Sequence, residues 1–224
     1  MNERRDLPAG PFATWLRDTR LAHQNDTAVD VPCGECVACC RSSYFIHVGS
    51  GETETLSRIP AELLVAAPGL PRGHVVMGYD EKGRCPMLRE GRCSIYQHRP
   101  LTCRTYDCRV FAASGIAADR QEITARSGRW KFDHPTEDDH AALSAVRAAA
   151  RFLRGHPECF VGGPRADNPA HVALLALKVF EVFLVRGDGP GAPGRASSDD
   201  DIVKAVMAAH ERFEAGRKAS GAGR

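Results

Sequence analysis

Cysteine is the residue type whose number and spacing point to chemistry in this chain. Eight of its nine cysteines fall into two groups within residues 33–108: Cys33, Cys36, Cys39 and Cys40, then Cys85, Cys93, Cys103 and Cys108. Thiols at this density bind a metal, pair as disulfides or act in catalysis. Because glutathione and thioredoxin keep cytoplasmic cysteines reduced, the pattern favours metal binding over a disulfide framework.

The first group has the spacing Cys-x2-Cys-x2-Cys-Cys. Thiolates three positions apart on a turn can share one ion at the ~2.3 Å bond lengths of zinc. Adjacent side chains in extended backbone point to opposite faces, so Cys39 and Cys40 would not easily bind the same single ion. They would serve two neighbouring sites, or two metals of one polynuclear cluster.

The second group begins on a predicted hairpin. Cys85-Pro-Met-Leu and Cys93-Ser-Ile-Tyr flank a tight turn at 89–92, and such knuckles direct paired thiols toward one point. We therefore predict that all eight cysteines are metal ligands, in two four-cysteine sites or one polynuclear site. We predict zinc or iron as the cofactor, with an iron–sulfur cluster as one form of the iron, because soft thiolates disfavour calcium and magnesium.

Arginines accompany the second group. Arg99 and Arg104 flank Cys103, and we predict that they hydrogen-bond the cysteine sulfurs and tune their basicity or redox potential. The alternative is that they are ordinary surface arginines. The ninth cysteine, Cys159, is predicted to be a packed thiol rather than a further ligand or a nucleophile, since cysteine is among the most buried residue types.

The ordered combination of these motifs resembles a known family. Cys33-x2-Cys36-x2-Cys39-Cys40, Cys85-Pro-Met-Leu and Cys93-Ser-Ile-Tyr-x2-Arg99-Pro100-x2-Cys103-Arg104 are similar to the YkgJ-type cysteine-cluster family, over about residues 33–110. The resemblance implies a module that chelates zinc or iron. It implies no particular reaction.

Hydrophobic periodicity supplies the elements around the cysteines. It predicts helices over 11–22, 52–67, 137–154 and 169–186, strands over 44–48 and 75–79, a flexible linker over 187–197, a last amphipathic helix and a disordered tail from Lys218. The fold class expected is α+β. A small, loop-rich cysteine module with short strands and hairpins is covered by an N-terminal helix and a C-terminal helical section.

These elements suggest four segments along the chain. They are an N-terminal helix and lead-in (1–32), the metal-binding module (33–114), a helical section packed on it (115–186), and a linker, last helix and tail (187–224). The last two segments show no further metal-ligand spacing.

Composition limits the classes of partner. A formal charge of +2 is too small to indicate nucleic acid, and the most apolar stretch, 172–185, is interrupted by Lys178 and Glu181 and too short for a membrane span. The N-terminus lacks the apolar core of a signal peptide, so we expect a cytoplasmic protein. The partners expected are metal ions, without a membrane or nucleic acid; a protein partner or small-molecule substrate is left open.

Three functions fit these observations. The leading hypothesis is a cytoplasmic metal-binding cysteine-cluster protein. The first alternative is an iron–sulfur or zinc-dependent enzyme performing redox or group-transfer chemistry on a peptide or small molecule. The second is a zinc-folded adaptor that binds a protein partner through helices 137–154 and 169–186.

Overall fold

The chain forms two compact units in a computed structural model that describes residues 6–29, 31–160, 168–184 and 198–221. Residues 27–107 form one unit, which we call the cysteine unit, and 1–26 with 108–224 form the other, the helical unit. The α-helices are α1 (Phe12–Asn25), α2 (Thr53–Leu56), α3 (Leu101–Thr105), α4 (Arg109–Ser114), α5 (Gln121–Ser127), α6 (Glu137–Gly155), α7 (Pro169–Val179) and α8 (Asp199–Gly221). The strands are β1 (Leu7–Pro11), β2 (Ile46–Val48), β3 (Leu64–Ala66), β4 (Val75–Met77), β5 (Leu88–Arg89), β6 (Arg92–Cys93) and β7 (Trp130–Asp133).

The cysteine unit is built on a small antiparallel sheet. Strand β4 lies between β2 and β3, with Val76 opposite both His47 and Val65. One face of the sheet contributes to a compact core of four buried side chains, Val48, Ile59, Met77 and Met87. Cys85 and Cys93 pack against this same core, so the core fixes the backbone that carries two of the predicted ligands.

The helical unit combines long helices with one parallel strand pair. Strand β1 pairs with β7 in register Leu7↔Trp130 and Pro11↔Asp133. Helix α6 packs against α7 and α1, and its buried face includes Val146 and Leu153. These contacts bury the apolar side chains that recur at helical spacing in this part of the sequence.

One carboxylate joins two helices of the helical unit. Asp139 forms a capping box with Thr136 at the start of α6, and its second oxygen accepts a hydrogen bond from the backbone N–H of Ala13 in α1 at 2.7 Å. Asp139 is only 2% exposed. It therefore satisfies N–H groups that would otherwise have no acceptor at two helix ends.

The structure confirms the α+β class and most of the predicted elements. Helix α1 and strands β2 and β4 lie where the periodicity places them, and α6 begins at the predicted capping box. Helix α7 begins after Asn168 as predicted, although it ends at Val179 and a short 3-10 turn follows.

Two predicted elements are wrong in part. Residues 52–67 are not one helical region: α2 ends at Leu56, and Leu64–Ala66 form strand β3, because their backbone pairs with β4. Helix α8 continues to Gly221, so residues 218–221 are helical rather than a disordered tail. The predicted linker at 187–197 lies outside the described residues. In the part of the chain that is described, no helix combines the length and apolarity needed to cross a bilayer.

Candidate metal centre

The first cysteine group occupies two consecutive turns of the cysteine unit. Gly34 has a φ of 55°, which permits the turn that brings the N–H of Cys36 to within 3.0 Å of the carbonyl of Cys33. Cys39 then begins a 3-10 turn that extends to Arg41. This turn is held by the buried Ser42, whose hydroxyl donates to the carbonyl of Ala38 at 2.7 Å.

The 3-10 turn changes the relation between Cys39 and Cys40. Consecutive side chains in a 3-10 helix are about 120° apart, rather than on the opposite faces that extended backbone would give. The two sulfurs are hydrogen-bonded to each other, and this bond is the main cause of the strongly raised pKa of Cys39.

The hairpin predicted around Cys85 and Cys93 is present. Strands β5 and β6 pair with Leu88 opposite Cys93, and Glu90 and Gly91 form the two-residue turn with φ values of 50° and 77°. Positive φ at both central positions is the geometry of the turn that best matches strand twist. The residues of the turn itself are therefore sufficient to predict this part of the site.

Backbone N–H groups point at both hairpin sulfurs. Burial raises the pKa of the Cys85 and Cys93 thiols, while hydrogen bonds from the N–H groups of Met87 and Leu88 to Cys85, and of Ile95 to Cys93, oppose that rise. Such donors stabilise the thiolate over the thiol. Thiolate is the form in which cysteine binds a metal.

Cys103, the third cysteine of the second group, lies on α3. Burial, followed by the charges of Cys39, Cys85 and Cys93, raises the pKa of Cys103 to about 12. The charge of Cys39 likewise raises the pKa values of Cys85 and Cys93. Because the interaction between charges weakens with distance, Cys39, Cys85, Cys93 and Cys103 lie in the same neighbourhood of the cysteine unit.

A direct backbone bond holds the two cysteine groups together. The N–H of Cys85 donates to the carbonyl of Cys40 at 2.7 Å, and the N–H of Ser43 donates to the carbonyl of Gly83 at 3.0 Å. The turn that carries Cys39 is thereby tied to the hairpin that carries Cys85. Main-chain hydrogen bonds therefore fix the position of the 3-10 turn relative to the segment that carries Cys85.

The other predicted ligands occupy different positions. Cys33 and Cys36 are half-buried on the turn that precedes Cys39. Cys108 belongs to the helical unit, where its sulfur accepts a hydrogen bond from Nε1 of Trp130 at 3.3 Å. Across the described residues, no three His, Cys, Asp or Glu side chains already stand in an arrangement that holds a metal ion.

The two predicted accessory arginines differ in their surroundings. The charge of Arg99 opposes the rise in pKa of Cys93 and Cys103, its guanidinium lies 3.9 Å from the centre of the Tyr96 ring, and its buried Nε has no hydrogen-bond partner within the described structure. Arg104 instead donates from Nε to the carbonyl of Arg99 at 3.0 Å. Arg99 thus lies beside the sulfurs, whereas Arg104 supports the loop.

Glu52 is a residue of the site that the sequence did not reveal. Its Oε1 accepts from the N–H of Gly49 at 2.8 Å, its Oε2 accepts from the N–H of Leu101 at 2.6 Å, and the same oxygen lies 3.8 Å from Arg104. The carboxylate therefore connects the end of β2 to the start of α3, which carries Cys103. The spacing of Gly49 and Glu52 resembles a local cap, but nothing in the sequence shows the link to Leu101.

Cys159 and the histidines of the cysteine unit have other surroundings. Cys159 is exposed, so the prediction of a packed thiol is wrong; the turn Pro157–Phe160 that carries it leaves its side chain outside the core. Nε2 of His47 and Nδ1 of His74 are 3.0 Å apart, and each ring therefore has the other as a partner. His98 lies 3.9 Å from the exposed Glu54.

Comparison with known proteins adds a family for the cysteine-bearing segment. Residues 32–127 match the family model CxxCxxCC, described as a putative zinc- or iron-chelating domain. No curated protein and no solved structure matches the chain.

Proposed function

We propose that the cysteine unit binds zinc or iron through Cys39, Cys85, Cys93 and Cys103, since residues 32–127 match the model of the CxxCxxCC zinc- or iron-chelating family. These four sulfurs come from three separate segments: the 3-10 turn, the β5–β6 hairpin and α3. A metal bound here would cross-link parts of the chain that lie up to 64 positions apart in the sequence.

The observation that carries the proposal is the convergence of these four thiols. Each of Cys85, Cys93 and Cys103 experiences the charge of Cys39, and backbone N–H groups point at the sulfurs of Cys85 and Cys93. Four thiolates match the ligand set of tetrahedral zinc and of iron–sulfur clusters alike. Zinc would supply structural cross-linking, and an iron–sulfur cluster would supply electron transfer.

Arg99 also fits a metal–thiolate centre. Four thiolates carry more negative charge than a dication neutralises, so a nearby cation stabilises the loaded state. Arg99 is that cation, and its buried Nε retains one donor for a sulfur. Leaving a buried donor unpaired costs free energy, which a bond to a metal-bound thiolate would recover.

The remaining thiols allow a larger centre. Cys40 is hydrogen-bonded to Cys39, and Cys33 and Cys36 lie on the preceding turn of the same unit. In the proposal they would serve a second ion or further metals of a polynuclear cluster. Cys108 stays a prediction of the sequence alone.

Metal analysis of the full chain, purified without oxygen, tests the proposal. We expect zinc or iron at one or more equivalents, sulfur-only coordination by X-ray absorption, and loss of most of the metal in Cys103→Ser. The matched control is Cys159→Ser, which replaces an exposed cysteine outside the cysteine unit and should keep full metal content. Full metal in Cys103→Ser would contradict the assignment.

One observation supports the enzymatic alternative. Cys39 is exposed, so one edge of the proposed centre can be reached by a small molecule. An added imidazole or thiol should then change the absorption or magnetic spectrum of the loaded protein; an unchanged spectrum would indicate a closed, structural site. The adaptor alternative gains no such support, because α6 and α7 carry no exposed large apolar side chain.

A further inference from the structure

The helical unit contains a pocket that the metal chemistry does not use. It has a volume of about 410 Å³ and lies between α1, α6 and the 3-10 turn after α7. The apolar lining consists of Ala13, Leu16, Leu21, Ala141, Ala142, Phe180 and Leu184. Leu16 and Ala142 are 3% and 7% exposed, so the pocket reaches down to the core of the unit.

Arg20 at the edge of this pocket is already paired. Its guanidinium lies 2.6 Å from Glu181, and it stacks over the rings of Phe180 and Phe213 at 4.9 and 5.6 Å. A side chain held by one carboxylate and two rings has little capacity left for a ligand. Arg20 therefore contributes a wall rather than a free charge.

The other charged groups at the edge are engaged as well. Arg17 forms an ion pair with the adjacent Asp18 at 2.9 Å, and Asp138 also has an interaction partner. Gln24 is the uncharged polar side chain of the lining. Its amide can both donate and accept one hydrogen bond to a neutral polar group.

We propose that this pocket binds an uncharged, mainly apolar small molecule whose single polar group, such as a hydroxyl, lies at Gln24. The volume falls within the roughly 300–1,000 Å³ of small-molecule sites, and the lining matches their usual pattern of apolar walls with few polar groups. A charged ligand would have to break an existing ion pair or remain unpaired against apolar walls, and both cost free energy. This site is independent of the metal centre.

Displacement of a neutral fluorescent probe from the full chain tests the inference. N-phenyl-1-naphthylamine is titrated first, and decan-1-ol, decanoate and decylammonium then compete for its site. We expect saturable probe binding and displacement by decan-1-ol with at least tenfold tighter affinity than by either charged analogue. Equal or tighter binding of decanoate would overturn the inference, since it would mean that Arg17 exchanges its weak surface pair for the ligand. Absence of saturable probe binding would overturn it too.

Three variants locate the binding. Ala141→Phe fills the pocket and should abolish displacement, while Ser144→Phe places the same ring on the exposed face of α6 and should leave it intact. Leu21→Glu changes a half-exposed lining residue without altering the core. It should weaken the binding of decan-1-ol at least tenfold, and it remains informative even if Ala141→Phe folds poorly. Equal loss in Ser144→Phe, or no loss in Leu21→Glu, would overturn the assignment.

Discussion

Replacement of Glu52 by glutamine tests whether the cysteine unit pre-positions its ligands. The carboxylate accepts backbone N–H groups of Gly49 and Leu101 with separate oxygens, and its side chain is only 16% exposed. Glutamine has nearly the same shape but only one acceptor oxygen, so one N–H would face an NH₂ group instead. The substitution therefore removes one charge-assisted hydrogen bond and leaves one donor unsatisfied.

The expected cost follows from these two losses. A hydrogen bond to a charged group contributes about 1.5–3 kcal/mol, so a decrease of about 2 kcal/mol in the stability of the cysteine unit is a conservative value. Where metal binding and folding of the ligand loops are coupled, 2 kcal/mol corresponds to roughly a 30-fold loss of apparent metal affinity. The effect should appear through Cys103, because Leu101 begins the helix that carries it.

Competition against a chromogenic chelator measures that affinity, and denaturation of the metal-free protein measures stability. Glu54→Gln is the matched control, because Glu54 lies two positions away, is 78% exposed and lies 3.9 Å from His98. It should change the apparent metal affinity by less than about threefold and the stability by less than about 0.5 kcal/mol. If Glu52→Gln behaves like Glu54→Gln, Glu52 does not position α3 and the reasoning is refuted.

The same physical terms give three further predictions. Arg99→Gln should weaken metal binding about tenfold in the chelator competition, since it removes the cation beside Cys93 and Cys103, and unchanged affinity would place Arg99 outside the site. Asp139→Ala should lower the free energy of unfolding by about 2–4 kcal/mol in urea, with the exposed Glu137→Ala near zero, because two helix N-termini lose an acceptor. Asp139 has a pKa below its ordinary 3.8, chiefly because the N–H of Ala13 donates to it. The stabilisation by this carboxylate is complete above about pH 4 and is lost as the pH falls through the lowered pKa. In Asp139→Asn the free energy of unfolding should therefore depend less on pH in acid, and an unchanged acid profile would contradict this.

Local patterns predicted the parts of the site that are made of neighbouring residues. The hairpin between Cys85 and Cys93 follows from a short turn with Glu90 and Gly91, and the cap at Thr136 and Asp139 follows from their spacing. In both cases the partners are at most a few positions apart. Propensity and spacing are sufficient there, because little loop-closure entropy is involved.

Long-range contacts were not accessible in the same way. Strand β1 pairs with β7 more than 100 positions along the chain. Trp130–Asp133 does alternate between apolar and polar residues, but the strand is only four residues long, and its partner Leu7–Pro11 shows no such alternation. Residues 64–66 have a helix-compatible pattern but become a strand because β4 offers free backbone groups. The bond from Glu52 to Leu101 spans 49 positions, so only the folded chain reveals it.

The adjacent pair Cys39–Cys40 shows how a local conformation changes the chemical expectation. Extended backbone would send the two thiols to opposite faces and thus to separate ions, whereas the 3-10 turn keeps their sulfurs within hydrogen-bonding distance. Cys39 then lies toward Cys85, Cys93 and Cys103, while the carbonyl of Cys40 holds the N–H of Cys85. The 3-10 turn therefore places Cys40 beside the proposed four-thiol centre through both its sulfur and its backbone, and as part of that proposal Cys40 is the next ligand if the centre holds more than one metal.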